Sequence, residues 1–157
     1  MKLYMKQKVF SFRDRFTIKD EYGEDRYFVE GEILSFGKKL RIYDMHGREL
    51  AFVRERLATF MPKFTVEVND REVAEIVKKF TLFTPKYCVN GLGWDVEGDF
   101  FSHDYVITDM GRIIVSIHKQ WMAWGDTFEL DIADGNDEVI ALAVVLAIDA
   151  VMDRNNN

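Results

Sequence analysis

Three histidines and one cysteine are the residues best suited to proton transfer, metal binding or nucleophilic attack. His46, His103 and His118 fall on separate stretches without metal-ligand spacing, and Cys88 sits in an alternating "YCV". A nucleophile needs a base and an orienting group that converge on it, and the sequence supplies no such set. The "HDY" of His103–Tyr105 fits a turn entering a strand. The acidic series Asp131, Asp134, Asn136, Asp137 and Glu138 offers oxygen ligands for a hard cation, but without the EF-hand spacing. Capping of the helix that follows explains it with fewer assumptions. "GLGWDVEG" is glycine-rich yet lies between strand patterns, with no helix to complete a phosphate-binding loop. The expectation is therefore no catalytic residue, no metal and no cofactor.

Binding chemistry is better represented. "GKKLR" places Lys38, Lys39 and Arg41 at a strand entrance, with Lys39 and Arg41 on one face. "VRERLATFMPKF" places Arg54 and Arg56 on one face and Lys63 after a turn. Basic groups beside an aromatic or a methionine suit anionic headgroups, so these six residues are candidates for lipid contact. The ordinary alternative is a solvated outer surface. In "QWMAWGD", Trp121 is the candidate for an exposed contact. Residues 1–90 hold 18 Lys/Arg and 14 Asp/Glu, a net of +4, and residues 91–157 hold 3 and 13, a net of −10. The total of −6 argues against general nucleic-acid binding.

These residues sit mostly on strands. Short alternating stretches such as "RFTIK", "LRIY", "FTVEV", "YVIT" and "TFELDI" have the period of a strand with one buried face. They belong to a repeat whose units begin at Phe12, Phe36, Phe60, Phe83, Phe101 and Trp124, at intervals of 18 to 24 residues. Each leading aromatic is read as core-like and as marking the start of a strand. A large apolar residue follows four positions later: Phe16, Leu40, Phe64, Tyr87, Tyr105 and Phe128. Another follows two positions after that. Turn chemistry lies at "DEYGED", "DMHG", "VNDRE", "VNGLG", "TDMG" and "IADGN". Pro62 and Pro85 precede strand-like runs, where proline is tolerated. Six hairpin-like units give twelve strands, which must close or stack to hide their edges.

The C-terminal "EVIALAVVLAIDAVM" completes the pattern. Asp134 or Asn136 caps a helix, and Asp137 and Glu138 favour its positive end. From Val139 to Met152 the one charge is Asp149, and a helix apolar all round belongs in a core or a membrane. An apolar run of 14 residues is short against the ~20 that a span needs, and the flanks are acidic. A barrel plug is the better reading. Ala141, Ala143, Ala147 and Ala150 keep the rod slim enough for a lumen, and Asp149 is expected to pair with a barrel Arg or Lys near the exit.

In order and spacing, "DRFTIKDEYG", "YFVEGEILSFGKKLRIYDMHGREL", "WDVEGDFFSHDYVITDMG", "DTFEL" and "LAIDAVM" resemble the LURP-one-related family of the tubby C-terminal-like superfamily. The resemblance covers nearly the whole chain. It implies a twelve-stranded barrel around a hydrophobic C-terminal helix. Its plant members are linked to defence, tubby domains bind phosphoinositides through basic residues, and phospholipid scramblases share the superfamily. No tubby headgroup motif carries over onto these residues, and the calcium-binding and cysteine-rich features of scramblases are not found.

The expected architecture is thus mainly β, one domain over residues 1–157, with strands in about 2–133 and a helix in about 136–153. The expected function is a non-catalytic binding module that meets anionic phospholipid or phosphoinositide surfaces peripherally. The alternatives are a protein-interaction scaffold, favoured by the net charge, and a small-ligand carrier or enzyme. A single cysteine and the lack of a continuous apolar stretch in "MKLYMKQKVF" suit a cytoplasmic location.

Overall fold

The computed structural model describes residues 1–6, 15–34, 37–57, 60–79, 81–83, 86–100, 102–122 and 125–155. Twelve strands come first: β1 (Lys2–Lys6), β2 (Arg15–Asp20), β3 (Asp25–Leu34), β4 (Gly37–Asp44), β5 (Glu49–Arg56), β6 (Lys63–Val68), β7 (Arg71–Lys79), β8 (Lys86–Asn90), β9 (Trp94–Asp99), β10 (Asp104–Asp109), β11 (Arg112–Met122) and β12 (Gly125–Ile132). One helix, α1 (Glu138–Asn155), follows. Each strand pairs antiparallel with its sequence neighbours. β1 closes the ring on β12, with Leu3 opposite Leu130 and Met5 opposite Phe128. Closure removes the edges that an open sheet of this size would expose.

The repeat is structural. Phe16, Leu40, Phe64, Tyr87, Tyr105 and Phe128 lie on β2, β4, β6, β8, β10 and β12, and all six are buried. So are the residues two positions on, Ile18, Ile42, Val66, Val89, Ile107 and Leu130. In four units the pairing register shifts immediately after that second residue, at Ile18, Ile42, Val66 and Ile107. A bulge recurring at one place sharpens the local twist that a closed barrel requires. The two leading aromatics among the described residues do not lie in the core. Phe60 and Phe83 precede β6 and β8 by three residues and are 95% and 94% exposed, so they are not core residues. Phe12, Phe36, Phe101 and Trp124 lie outside the described residues. Pro62 abuts β6, where no ladder donor is needed, and Pro85 is outside the described set.

The helix fills the lumen. Ala141 to Ile148, Ala150 and Val151 are all buried. Its 18 residues span about 27 Å, close to the ~23 Å of a seven-residue strand. It lies against β5, β6 and β7, where Ala51, Val53, Val66 and Ala74 are buried and small. Larger buried residues, Phe64, Tyr87, Tyr105 and Phe128, come from β6, β8, β10 and β12. The cap is neither Asp134 nor Asn136. Asp137 Oδ1 accepts from Ile140 N at 2.9 Å, while Asn136 Nδ2 donates to the Ala133 carbonyl at 2.9 Å. Asp137 is the residue immediately before the first turn, which is where a carboxylate reaches the third helical N–H.

Antiparallel pairing all round the ring puts successive connections at alternate ends. One is a turn end, with residues 21–24, 45–48, 69–70, 91–93, 110–111 and 133–137. The helix enters there, and Glu138 accepts from Tyr27 Oη at 2.5 Å and lies 3.4 Å from Arg26 Nε. The helix leaves at the opposite, exit end. There Lys38 Nζ meets Asp153, Arg154 Nε lies 2.9 Å from Glu55 Oε1, and the Lys38 backbone N–H donates to Glu55 Oε2 at 3.0 Å. The helix runs past Asp153 because these partners hold its last turn.

Removing residues 138–157 deletes the filler of the lumen, and the expected outcome is loss of the cooperative unfolding transition seen by circular dichroism. Ala147→Phe, which overpacks the same core, is expected to cost about 1–3 kcal/mol in urea titrations.

Candidate functional site

The six basic candidates are distributed by strand alternation and then partnered by carboxylates. Lys38 occupies an inward position of β4 and is 8% exposed, because it reaches Asp153 at the barrel mouth. Arg41, on the outer face, lies 3.4 Å from Glu49 and 3.7 Å from Glu32, with its guanidinium over the Phe52 ring at 4.5 Å. Arg54 lies 3.2 Å from Glu67, Arg56 3.4 Å from Glu72, and Lys63 3.5 Å from Glu75. Lys39 stands opposite Glu32 and Arg54 in the ladder and enters no ion pair among the described residues. Five of the six are thus engaged with carboxylates, mostly across strands. Cross-strand pairs of this kind depend on register, which a list of basic residues does not reveal.

Basic groups outside such pairs lie one hairpin further along. Lys78 and Lys79 end β7, Lys86 begins β8, and none has an ion pair among the described residues. The Lys79 ammonium is held above its usual pKa by hydrogen bonding to the Cys88 thiol. Between these lysines Leu82 and Phe83 are 82% and 94% exposed. The signal was present in the sequence as "KKFTLFTPK", lysines astride an apolar run. Reading Phe83 as a core aromatic concealed it. The Trp121 expectation falls on a side chain outside those described, although its backbone pairs with Asp126 on β12.

The two ends differ in charge. The turn-end connections carry Glu21, Glu24, Asp70, Asp134 and Asp137 against Arg48. The described connection residues at the exit end, which include Leu57, Phe60, Met61, Leu82, Phe83 and Phe100, carry no carboxylate. Of the carboxylates on the adjoining strand ends, Glu97 lies in a cavity wall with Lys79 and Lys86, and four others have partners. Asp99 accepts from Ser102, Asp104 lies 2.7 Å from His118 Nδ1, and Glu55 and Asp153 hold the helix.

Acid–base geometry is sparse. His118 and Asp104 form an exposed pair, and no described hydroxyl or thiol hydrogen-bonds the imidazole to extend it into a nucleophilic set. The acidic series is used piecemeal: Asp131 beside the N-terminal amine at 4.0 Å, Asp137 as cap, Glu138 on Tyr27. Among the described residues no group of three His, Cys, Asp or Glu could hold a metal ion. A cavity of about 600 Å³ opens beside β8 and β9, with Lys79, Lys86, Cys88, Asp95 and Glu97 in its walls and Phe100 in its lining. It exists because the β8–β9 ladder runs only from Tyr87–Val96 to Val89–Trp94. Gly98 borders it at φ +136°, and a Cβ there would lie 2.6 Å from the Asp104 carbonyl, so β9 approaches β10 as only glycine allows.

Asp149 departs from expectation. It has no Arg or Lys partner among the described residues, and those contacts go instead to Asp153 and Glu55. It is 6% exposed, its Oδ1 finds no hydrogen-bond partner, and the nearest ring nitrogen is His103 Nε2 at 3.9 Å, too far for a hydrogen bond. Burial pushes its carboxyl well above the ordinary carboxylate range. Burial and then Lys119 push His103 down, so the neutral form is favoured on both sides. The buried Tyr105 hydroxyl, also without a partner, is pushed up by burial and by Asp149.

The fold and this arrangement can be set beside known proteins. A model of the family described as LURP-one-related matches residues 1–149. The chain belongs to the LURP-one-related family. It is 34% identical over 152 residues to the uncharacterized protein YxjI of Bacillus subtilis strain 168, covering 97% of this chain and 94% of that one. An Arabidopsis thaliana protein solved by X-ray crystallography superposes with a TM-score of 0.67 over 99% of this chain and 91% of its own, at 14% identity, a likeness of fold alone. No described helix of this LURP-one-related chain is long and apolar enough to cross a membrane.

The raised pKa of Asp149 has a signed consequence. The folded state holds the proton that the unfolded chain releases near its ordinary value of about 3.9, so stability is lost as pH rises from there toward the folded-state pKa. Asp149→Asn removes that loss. Urea titrations are expected to show wild type and variant converging at about pH 4 and the variant gaining relative stability toward pH 8.

Proposed function

We propose that this LURP-one-related chain is a non-catalytic binding module that docks peripherally on anionic lipid surfaces, with its exit end toward the membrane. The observation that supports this is the end-to-end separation of charge. Lys78, Lys79 and Lys86 form no ion pair among the described residues at one end, and carboxylates crowd the connections of the other. Such a molecule is oriented by an anionic leaflet as well as attracted to it. The net charge of −6 is compatible with this, because attraction is set within a Debye length of the contact, roughly 8–10 Å. The helix stays inside the barrel, so attachment is reversible. A cytoplasmic protein that visits the inner leaflet fits the single cysteine.

Co-sedimentation with phosphatidylserine-containing and pure phosphatidylcholine vesicles tests the reading. Binding is expected only to the anionic vesicles and is expected to fall steeply with salt. Charge reversal at Lys78, Lys79 and Lys86 is expected to abolish it, whereas Arg48→Glu at the turn end is expected to leave it unchanged. Wild-type protein that ignores anionic vesicles at low salt would overturn the lipid reading in favour of a scaffold.

A further inference from the structure

We infer that two neighbouring connections at the exit end insert apolar side chains into the interfacial layer of the bilayer. Phe60, Leu82 and Phe83 are 95%, 82% and 94% exposed, and Leu57 is about half exposed. A lone exposed apolar residue is ordinary. These four are not scattered. β6 and β7 pair with Lys63 opposite Val77, and β7 and β8 pair with Lys79 opposite Lys86. The connection before β6 and the one after β7 therefore emerge from adjacent strands, about 5 Å apart.

The chemistry of the tips selects the occupant. The apolar residues precede β6 and follow β7, outside the ladders, and lysines flank the second tip at strand ends. Lysine stems reach past an apolar layer to phosphate while the rings enter it. A symmetric dimer through the same tips would bring Lys78, Lys79 and Lys86 of both copies together, which repels. At the turn end Met110 is 98% exposed and Tyr22 82%, but Met110 follows Asp109 and Tyr22 stands between Glu21 and Glu24, settings that an anionic surface disfavours. The tips thus add an apolar contact to the electrostatic docking, which still brings the molecule to the surface. This inference rests on the proposal that the chain binds anionic lipid, and it concerns how that contact is made.

The test uses the full chain carrying Phe83→Trp, with Tyr22→Trp as the opposite-end comparison, and vesicles of phosphatidylserine and acyl-brominated phosphatidylcholine. Fluorescence is read as the difference from wild type, which has its own tryptophans. The Phe83→Trp signal is expected to shift to the blue and be quenched by bromine, and the Tyr22→Trp signal is not. Combined Phe60→Ser, Leu82→Ser and Phe83→Ser is expected to lower partitioning roughly tenfold or more, with an unchanged unfolding midpoint. Phe83→Trp that pellets with vesicles yet stays unquenched would overturn insertion and leave electrostatic docking standing. Failure of wild type to pellet at low salt would remove both. A concentration-dependent dimer abolished by the serine variant would assign the tips to a second copy instead.

Discussion

A ring of twelve antiparallel strands is too wide for its own inward side chains to fill, and the filling of that lumen by one apolar helix is the constraint on which this molecule depends. Barrels of eight strands pack their interior with side chains, and a can of eleven already holds a central helix. Here α1 supplies the missing volume. Its alanines and valines lie in a lumen to which β5–β7 contribute Ala51, Val53, Val66 and Ala74 beside the larger Phe64 and Ile76, and β8, β10 and β12 contribute Tyr87, Tyr105 and Phe128. Each large side chain buried is worth on the order of 1.5–3 kcal/mol. Both helix ends are fastened to the wall, by Tyr27 and Arg26 on Glu138 at entry, and by Lys38 and Glu55 on Asp153 and Arg154 at exit.

The same constraint organises the surface. A central helix leaves every strand with one apolar and one polar face, so charges gather on the outer wall and at the two ends. On the wall of β3–β7 the register sets arginines near glutamates, and those pairs are individually weak because they are solvent-exposed. They still cancel the local field. Among the described residues the lysines of the β7–β8 hairpin form no such pair.

Much of the architecture was legible in the sequence. The period-two alternation and the four-then-two spacing after each leading aromatic identified the buried residues of all six even-numbered strands, from Phe16 to Phe128. The charge-poor run after Glu138 identified the plug. Local geometry was less legible. Asp134, Asn136 and Asp137 all suit a cap, and the choice depends on where the last turn of chain lands. The cross-strand partners of Arg41, Arg54 and Lys63 required the register, which bulges shift by one residue at four places. Nothing in the sequence brings His103 and Tyr105 to Asp149, since the three meet only when β10 and the helix share the lumen. Phe60 and Phe83 were misread for a physical reason. Their recurrence follows the hairpin period, and a hairpin repeat marks loop tips as regularly as it marks core.

Native-state hydrogen exchange measures the dependence of the barrel on its helix most directly. If α1 is the filler of a lumen that cannot exist empty, the amides of residues 141–151 will exchange only through global unfolding, with the same free energy and denaturant dependence as the central amides of β5, β6 and β7. Exchange of the helix through a lower-energy opening while those strands stay protected would show a barrel that stands without it, and would contradict the account.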